Sequence, residues 1–355
     1  MDAWTPPFLR LELARVEERY TQVAALFDEV LYAVKACPEP AVLRRLAALG
    51  CGFDVASAAE LAACLAAGAD PARLSHGNPV RGPGDAAAAF ALGVRRFVTD
   101  SAEDLATLPP GSEVLVRVLV ADTGSATPFL GKFGAAPAEA ARLARGTSGV
   151  AIHVGSQQPR PAAFADGVRA ALRVAGSAGV ATPVLDVGGG LPVPYREPVP
   201  PVEAFAEAVH TAVAAAVAVG DVDGARVVVE PGRLLVAEAG TLHTSVLRVS
   251  RRPGIDHRRW VYLDCGRYQG LAETEGEAID YPVHVPGRGG RRGPVVLAGP
   301  TCDGDDVLYR RRPYALPLDL AAGDRVELRH AGAYTASYAS VGFNGFGPLP
   351  VHVVE

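Results

Sequence analysis

GVAIHVGSQQPRPAAFADGVRAALRVAGSAGVATPVLDVGGG (149–190) is the stretch that decides the fold. It opens on an apolar, β-branched run, GVAIHVG (149–155), and continues through an Ala-rich segment at helical spacing. It then reaches Gly179, where a helix should end, and closes on a second apolar run, PVLDVGG (183–189). A short apolar strand, a helix and another short apolar strand make a parallel unit, because parallel neighbours need a long crossover.

The same alternation recurs on both sides. Upstream stand LYAVKA (31–36), GFDVAS (52–57), RLSHGN (73–78), RRFVTD (95–100) and EVLVRVLV (113–120); downstream stands ARVVVEPG (225–232). With the two runs of the opening stretch, that makes eight strand candidates. The intervening helices carry start and stop signals. Ser57-Ala-Ala-Glu60 is a capping-box pattern, Leu61 and Leu65 share a face, and Gly68 and Gly93 suit helix ends. PPVEAFAEAVHTAVAAAVAVG (200–220) enters through proline and closes on Gly220. Eight β-then-α units over this length predict an α/β fold, a (β/α)8 barrel. A doubly wound open sheet is the alternative, disfavoured by the count and by the lack of a GxGxxG opening.

Past residue 236 the texture changes. TLHTSVLRVS (241–250), RRWVYLDCG (258–266), GPVVLAG (293–299), DRVELRH (324–330) and LPVHVVE (349–355) are β signals without helices between them. The barrel is therefore expected over 15–235 and a C-terminal β-domain over 236–355, with FLRLEL in the N-terminal 1–14 as an extra strand of the latter.

Composition bounds the partners. Of 355 residues, 49% are hydrophobic and 21% charged, and the net charge of −5 gives no footprint for nucleic acid or an anionic membrane. No run of 18 apolar residues appears, and the N-terminal stretch lacks a charged segment followed by an apolar core, so the cytoplasm is the expected location. Five cysteines (37, 51, 64, 265, 302) form no CxxC pair and no metal-ligand spacing, so no metal is expected and four read as small buried thiols.

In a barrel the chemistry gathers at the C-terminal ends of the strands. The tails here are polar: Lys35, Asp54, His76 with Asn78, Asp100, Arg117, His153 with Ser156, Gly188-Gly189-Gly190, and Glu230 with Gly232-Arg233. Asp54 and Asp100 also fit helix N-caps, and His153 fits a satisfied core histidine. Lys35 is less bland, because an ammonium at the closing end of a barrel core is costly to desolvate, and a lysine made neutral there suits Schiff-base chemistry. The glycines after strands seven and eight, with Arg233, suit a phosphate held by backbone amides and a cation. A lysine for an aldehyde, a glycine cup for a phosphate and Glu230 for a pyridine nitrogen together indicate pyridoxal 5'-phosphate (PLP).

YAVKAC (32–37), GFDVASAAE (52–60), HVGSQ (153–157), DVGGGLP (186–192), EPGR (230–233), GPTCDGDDVL (299–308), GAYT (332–335) and FNGF (343–346) together resemble the fold-III PLP decarboxylases, which share the alanine-racemase type of barrel. The resemblance runs over nearly the whole chain. Within the family it leans to the ornithine and lysine decarboxylases, to whose bacterial branch GLAETEGEAIDYP (270–282) is also similar. It implies decarboxylation of L-ornithine to putrescine, with L-lysine to cadaverine next.

By position the resemblance makes Lys35 the Schiff-base lysine, Glu230 the partner of the pyridinium nitrogen, and His153 the ring-stacking residue. Asp54 and Arg117 support the ring's polar edge, and Ser156, Gly188, Gly189, Gly190, Gly232, Arg233 and Tyr334 hold the phosphate. Cys302 reprotonates Cα, Asp303 binds the distal ammonium, and Glu273 and Glu277 are further candidates for that ammonium or else solvated charges. The family's homodimer, in which Cys302 and Asp303 serve the partner's site, is implied with it.

Gly304 and Asp305 depart from the family pattern, and ADTGSATPFLGKFG (121–134) is short for it. Both leave the substrate open to diaminopimelate, arginine or a D-isomer. Diaminopimelate would need an arginine for its second carboxylate, with 286–292 and 310–312 the available stretches. A racemase and a non-catalytic regulatory homologue are the readings outside this class.

Overall fold

The chain opens with β1 (Phe8–Glu12) and α1 (Leu13–Ala24). In the computed structural model, which describes residues 4–121, 124–129 and 131–355, eight parallel strands then close into a barrel. They are β2 (Glu29–Ala33), β3 (Gly52–Val55), β4 (Leu74–His76), β5 (Arg96–Thr99), β6 (Glu113–Arg117), β7 (Gly149–Ala151), β8 (Val184–Asp186) and β9 (Arg226–Val229). Between them lie α2 (Pro40–Ala48), α3 (Ala58–Ala66), α4 (Asp85–Ala91), α5 (Ala102–Leu105), α6 (Pro137–Leu143), α7 (Pro161–Ser177) and α8 (Val202–Ala218), and α9 (Arg233–Val236) follows. Every strand candidate is a strand, and closure of β9 onto β2 excludes the open sheet.

Local signals act as the sequence predicts, with one variation. Ser57 Oγ accepts from the Glu60 N–H (3.2 Å), but the Glu60 carboxylate reaches back to the Ala56 N–H (2.7 Å), one residue outside the usual box. Leu31, Val98, Leu115, Ala151, Val184 and Val228, from six different strands, form one buried cluster. Fully burying each leucine or valine stabilises by roughly 1.5–3 kcal/mol. The N-terminal end of the barrel is closed by charge: buried Arg96 pairs with Glu29 (3.1 Å) and Glu113 (3.0 Å), and Arg226 pairs with the same two carboxylates. The four groups satisfy one another, which leaves the opposite end for chemistry.

The barrel unit comprises 16–193 and 199–235; a second unit comprises 1–15, 194–198 and 236–355. The second unit is a mixed sheet of β10 (Gly240–Arg252), β11 (Asp256–Leu263), β12 (Val283–His284), β13 (Arg292–Ala298), β14 (Val307–Pro317), β15 (Arg325–Arg329) and β16 (Val351–Val354). β1 joins it, antiparallel to β10 (Phe8 opposite His243) and parallel to β16 (Leu9 opposite Val351). β14 escaped the sequence reading. VLYRRRPYALP carries three arginines and a proline in its middle, and the arginines are exposed while Leu308, Tyr309, Tyr314 and Leu316 are buried. No helix among the described residues is long and apolar enough to cross a membrane.

Candidate active site

β2 ends at Ala33, and a single 3-10 turn, Val34–Ala36, carries Lys35 beyond the sheet. Its ammonium lies 3.5 Å from Asp54 Oδ2, and its side chain is 50% exposed. The buried carboxylate of Asp54 is the partner that the closing end of the barrel supplies for this ammonium. Asp54, at the end of β3, also accepts from the Gly77 N–H (3.1 Å). It is not a helix cap, and neither is Asp100. Ser57 and Ser101 cap α3 and α5, while Asp100 holds the Gly134 N–H (2.8 Å) of the loop before α6. His76 is a buried core histidine stacked on Phe97 (6.2 Å), and Asn78 bonds its own turn through the Val80 N–H.

Arg117 closes β6. Burial lowers its pKa, and Glu230, Asp100, Asp186 and Asp54 offset that cost in charge. Its guanidinium lies over Phe129 (5.0 Å) and Phe133 (4.8 Å). His153 follows β7 with Phe129 edge-on at 4.6 Å. Its Nδ1 accepts from the Gly155 N–H (3.1 Å), which puts the ring proton on Nε2. Burial, with Arg117 and Lys35 adding to it, drives its pKa well below the usual histidine value, so the imidazole is neutral. Arg117, Phe129, Phe133 and His153 line a cleft of about 220 Å³.

The triple glycine after β8 is a tight cradle. Gly188 and Gly190 have positive φ (+70° and +88°), and a Cβ on them would lie 2.4 Å from Ile152 O and 2.2 Å from Gly155 O. Even Gly189, at ordinary φ, leaves only 2.7 Å between such a Cβ and Glu230 O. Ser156 faces this cradle's neighbour Arg233, whose Nη2 donates to its hydroxyl (3.4 Å), and Gly232 leads into α9 carrying that arginine. Glu230, after β9, is partly buried, and its enclosed Oε1 lacks a hydrogen-bond partner among the described residues. Burial, with Asp186 and Asp54 beside it, pushes its pKa well above the ordinary carboxylate range.

The barrel thus brings together Lys35, Asp54, Arg117, His153, Ser156, the three glycines, Glu230, Gly232 and Arg233. These residues fit PLP: a glycine cradle with an arginine and a hydroxyl for a phosphate, an amine for an aldehyde, and a buried acceptor for a ring N–H. The sequence reading missed two members. Asp186 (1% exposed) stands in the same DVGGG motif, where an aspartate before glycines looks like a turn former. Phe129 sits in a loop without periodicity, and that loop's Asp122, Thr123 and Leu130 lie outside the described residues.

The second unit carries the other candidates. Asp306 is buried and takes the N–H groups of Arg267 (2.8 Å) and Thr301 (3.1 Å) and the Thr301 hydroxyl (2.7 Å). That wraps the 299–306 loop around it and turns Cys302 and Asp303 outward, both exposed. Asn344 Oδ1 accepts from the Cys302 N–H (3.2 Å) and lies 3.5 Å from its sulfur. Asp303 accepts from the Asp305 N–H (2.8 Å) and from the Tyr268 hydroxyl. Tyr334 holds a positive φ of 55°, sparsely populated for a side chain of that size. Glu277 is a correction. Its two oxygens accept from the N–H groups of Arg310 (2.9 Å), Arg311 (2.6 Å) and Arg312 (2.8 Å), so it is neither a solvated charge nor open to a substrate. It clamps β14. Glu273 lies half-buried in the same 3-10 segment, Ala272–Glu277.

Comparison with known proteins bears on this arrangement. A model of the pyridoxal-dependent decarboxylases, pyridoxal binding domain, matches residues 13–237. The chain is 34% identical over 365 residues to a lysine/ornithine decarboxylase of Selenomonas ruminantium, covering 98% of this chain and 90% of the relative. It is 34% identical over 349 residues to a diaminopimelate decarboxylase of Actinosynnema pretiosum subsp. auranticum, covering 91% and 77%. Among solved structures, the lysine/ornithine decarboxylase of Vibrio vulnificus complexed with cadaverine superposes with a TM-score of 0.86 at 29% identity, covering 99% and 96%.

Proposed function

The chain belongs to the pyridoxal-dependent decarboxylase family, and on that footing we propose that it decarboxylates L-ornithine to putrescine, with L-lysine to cadaverine next. The reaction class is that of the family: a basic amino acid loses its α-carboxylate as CO2, and one proton takes its place at Cα. The observation that carries the reading is the meeting of Lys35, the glycine cradle and the buried acceptor Glu230 at one end of the barrel.

When bound, PLP supplies the aldehyde that takes up the substrate amine and the ring that accepts the electrons left at Cα. Gly188, Gly189, Gly190, Ser156, Gly232 and Arg233 would hold its phosphate, with Tyr334 a further candidate. Lys35 would hold its aldehyde, Glu230 its ring nitrogen, and the neutral His153 would offer an uncharged face that does not compete with Arg117. Cys302 would give the proton to Cα, and Asp303 would take the distal ammonium. Three of the six arginines in 286–292 and 310–312 are engaged with carboxylates: Arg288 with Asp319 and Asp324, Arg311 with Glu277, Arg312 with Asp280.

We also propose a homodimer in which each copy lends Cys302 and Asp303 to the other. Their exposure supports it, together with that of Tyr338 (58%), Val341 (68%) and Phe343 (38%) in the nearby C-terminal stretch. Mixing Lys35→Ala and Cys302→Ala proteins should then restore part of the activity that each lacks, and no restoration refutes the sharing. The cytoplasm is the expected compartment, checked by cell fractionation.

The test of function is CO2 and amine release by PLP-loaded protein against L- and D-ornithine, L- and D-lysine, arginine and meso-diaminopimelate. Putrescine or cadaverine from one isomer supports the reading. Turnover of diaminopimelate or arginine alone replaces the substrate, and PLP binding without turnover removes the activity.

A further inference from the structure

Asp186 has no part in the chemistry assigned so far, yet it is the most deeply enclosed carboxyl of the site. It ends β8, its Oδ1 accepts from the Gly188 N–H (2.8 Å), and its Oδ2 is buried without an N–H or hydroxyl donor among the described residues. Glu230 follows the neighbouring β9, and its own N–H donates to Gly188 O (2.9 Å). The Gly188 peptide therefore latches the two residues side by side, and each leaves one enclosed carboxyl oxygen, Asp186 Oδ2 and Glu230 Oε1, that no N–H or hydroxyl reaches among the described residues. A carboxylate only accepts hydrogen bonds, so the two carboxyls can bond each other only when one of them carries a proton.

The surroundings keep that proton in place. Asp54 on β3 adds negative charge, Lys35 after β2 and Arg117 on β6 add positive charge, and Arg96 on β5 acts from further down the barrel. His153 after β7 is neutral. Burial, with the charge of Asp54 added, raises both carboxyls, Asp186 to about 6, and the charge of Asp186 pushes Glu230 further, so near neutral pH the pair holds one proton between them.

We propose that Asp186 is a positioning residue for Glu230, holding the proton of a carboxylic acid–carboxylate pair so that Glu230 presents an anion to the ring nitrogen of the bound cofactor. In the free protein the proton rests on the Glu230 side. When a ring N–H faces Glu230, the O–H bond at Glu230 breaks and one forms at Asp186 Oδ2, and no proton enters or leaves the pair. Glu230 then accepts from both sides. The inference rests on the PLP reading for its ligand and on the two enclosed carboxyl oxygens of adjacent strands for its device.

The test uses wild type, Asp186→Asn and Asp186→Ala. Asparagine keeps an acceptor for the Gly188 N–H and points a permanent donor at Glu230; alanine keeps neither. PLP affinity, measured by fluorescence quenching from pH 6 to 9, should fall about 10- to 100-fold in the alanine variant, the worth of a hydrogen bond to a charged group. In the asparagine variant it should stay within about threefold of wild type. Without PLP, wild type should lose thermal stability from pH 5 to 8 while the asparagine variant loses less and melts above it at pH 8. The reason is that a raised carboxyl stabilises the fold only while protonated. An asparagine variant as poor as alanine for PLP, or melting curves that shift with pH as wild type does, overturns the proposal. Failure of wild type to bind PLP overturns the cofactor reading instead, and the melting series alone then judges the shared proton.

Discussion

Gly190→Ala puts a number on how closely the glycine cradle is built. Gly190 sits at φ +88°, which costs a side-chain-bearing residue roughly 1–2 kcal/mol. Its added Cβ would also stand 2.2 Å from Gly155 O, where no Cβ comes within 3.0 Å, so the two segments must part by at least 0.8 Å. Overpacking of this kind costs roughly another 1–3 kcal/mol. Gly68 is a matched control: it has the same φ of +88° and nothing within 4 Å, so Gly68→Ala carries the backbone cost alone. Urea unfolding of the two apoproteins should therefore separate them by about 1–3 kcal/mol, with Gly190→Ala the weaker. Because the Gly155 N–H also holds His153 Nδ1, the displacement reaches the imidazole, and PLP affinity should fall on the order of 10- to 100-fold in Gly190→Ala only. Equal stability of the two variants, or undiminished PLP affinity in Gly190→Ala, would refute the account of the cradle.

Lys35→Ala should abolish the near-visible absorbance that PLP gains when bonded to a lysine, and an unchanged spectrum would point to another amine. Cys302→Ala should leave PLP bound but slow decarboxylation or send the proton to the wrong atom, detected as a ketone or aldehyde by-product; unaltered turnover and product would end that role. Glu277→Ala strips the acceptor from three β14 amides and should destabilise the second unit by about 2–4 kcal/mol in urea unfolding, leaving PLP affinity unmoved. Burial raises the Asp186 carboxyl to about 6, so the stability its protonated form contributes is present below pH 4 and lost as pH rises through 6, read from apoprotein melting against pH.

The barrel was legible because its signals are local. Eight apolar runs alternating with helical stretches leave little choice of topology, and Ser57 and Gly68 punctuate α3 without help from the rest of the chain. Lys35, Glu230 and the glycines could be named because residue type and strand-end position together restrict their chemistry, while the roles of Cys302 and Asp303 came from resemblance and not from spacing. What the sequence could not convey is how many hydrogen bonds a side chain has already spent. Glu277 looked available and is consumed by three amides contributed by residues more than thirty positions away. Asp100 looked like a cap and instead holds a loop 34 positions further on. Asp186 drew no reading of its own and stands beside Glu230, 44 positions on, since adjacent strands in a parallel barrel are separated in sequence by a whole helix. Periodicity and turn chemistry determine which elements form; which polar groups meet, and which proton they share, is decided only when barrel closure brings distant strand ends into one desolvated space.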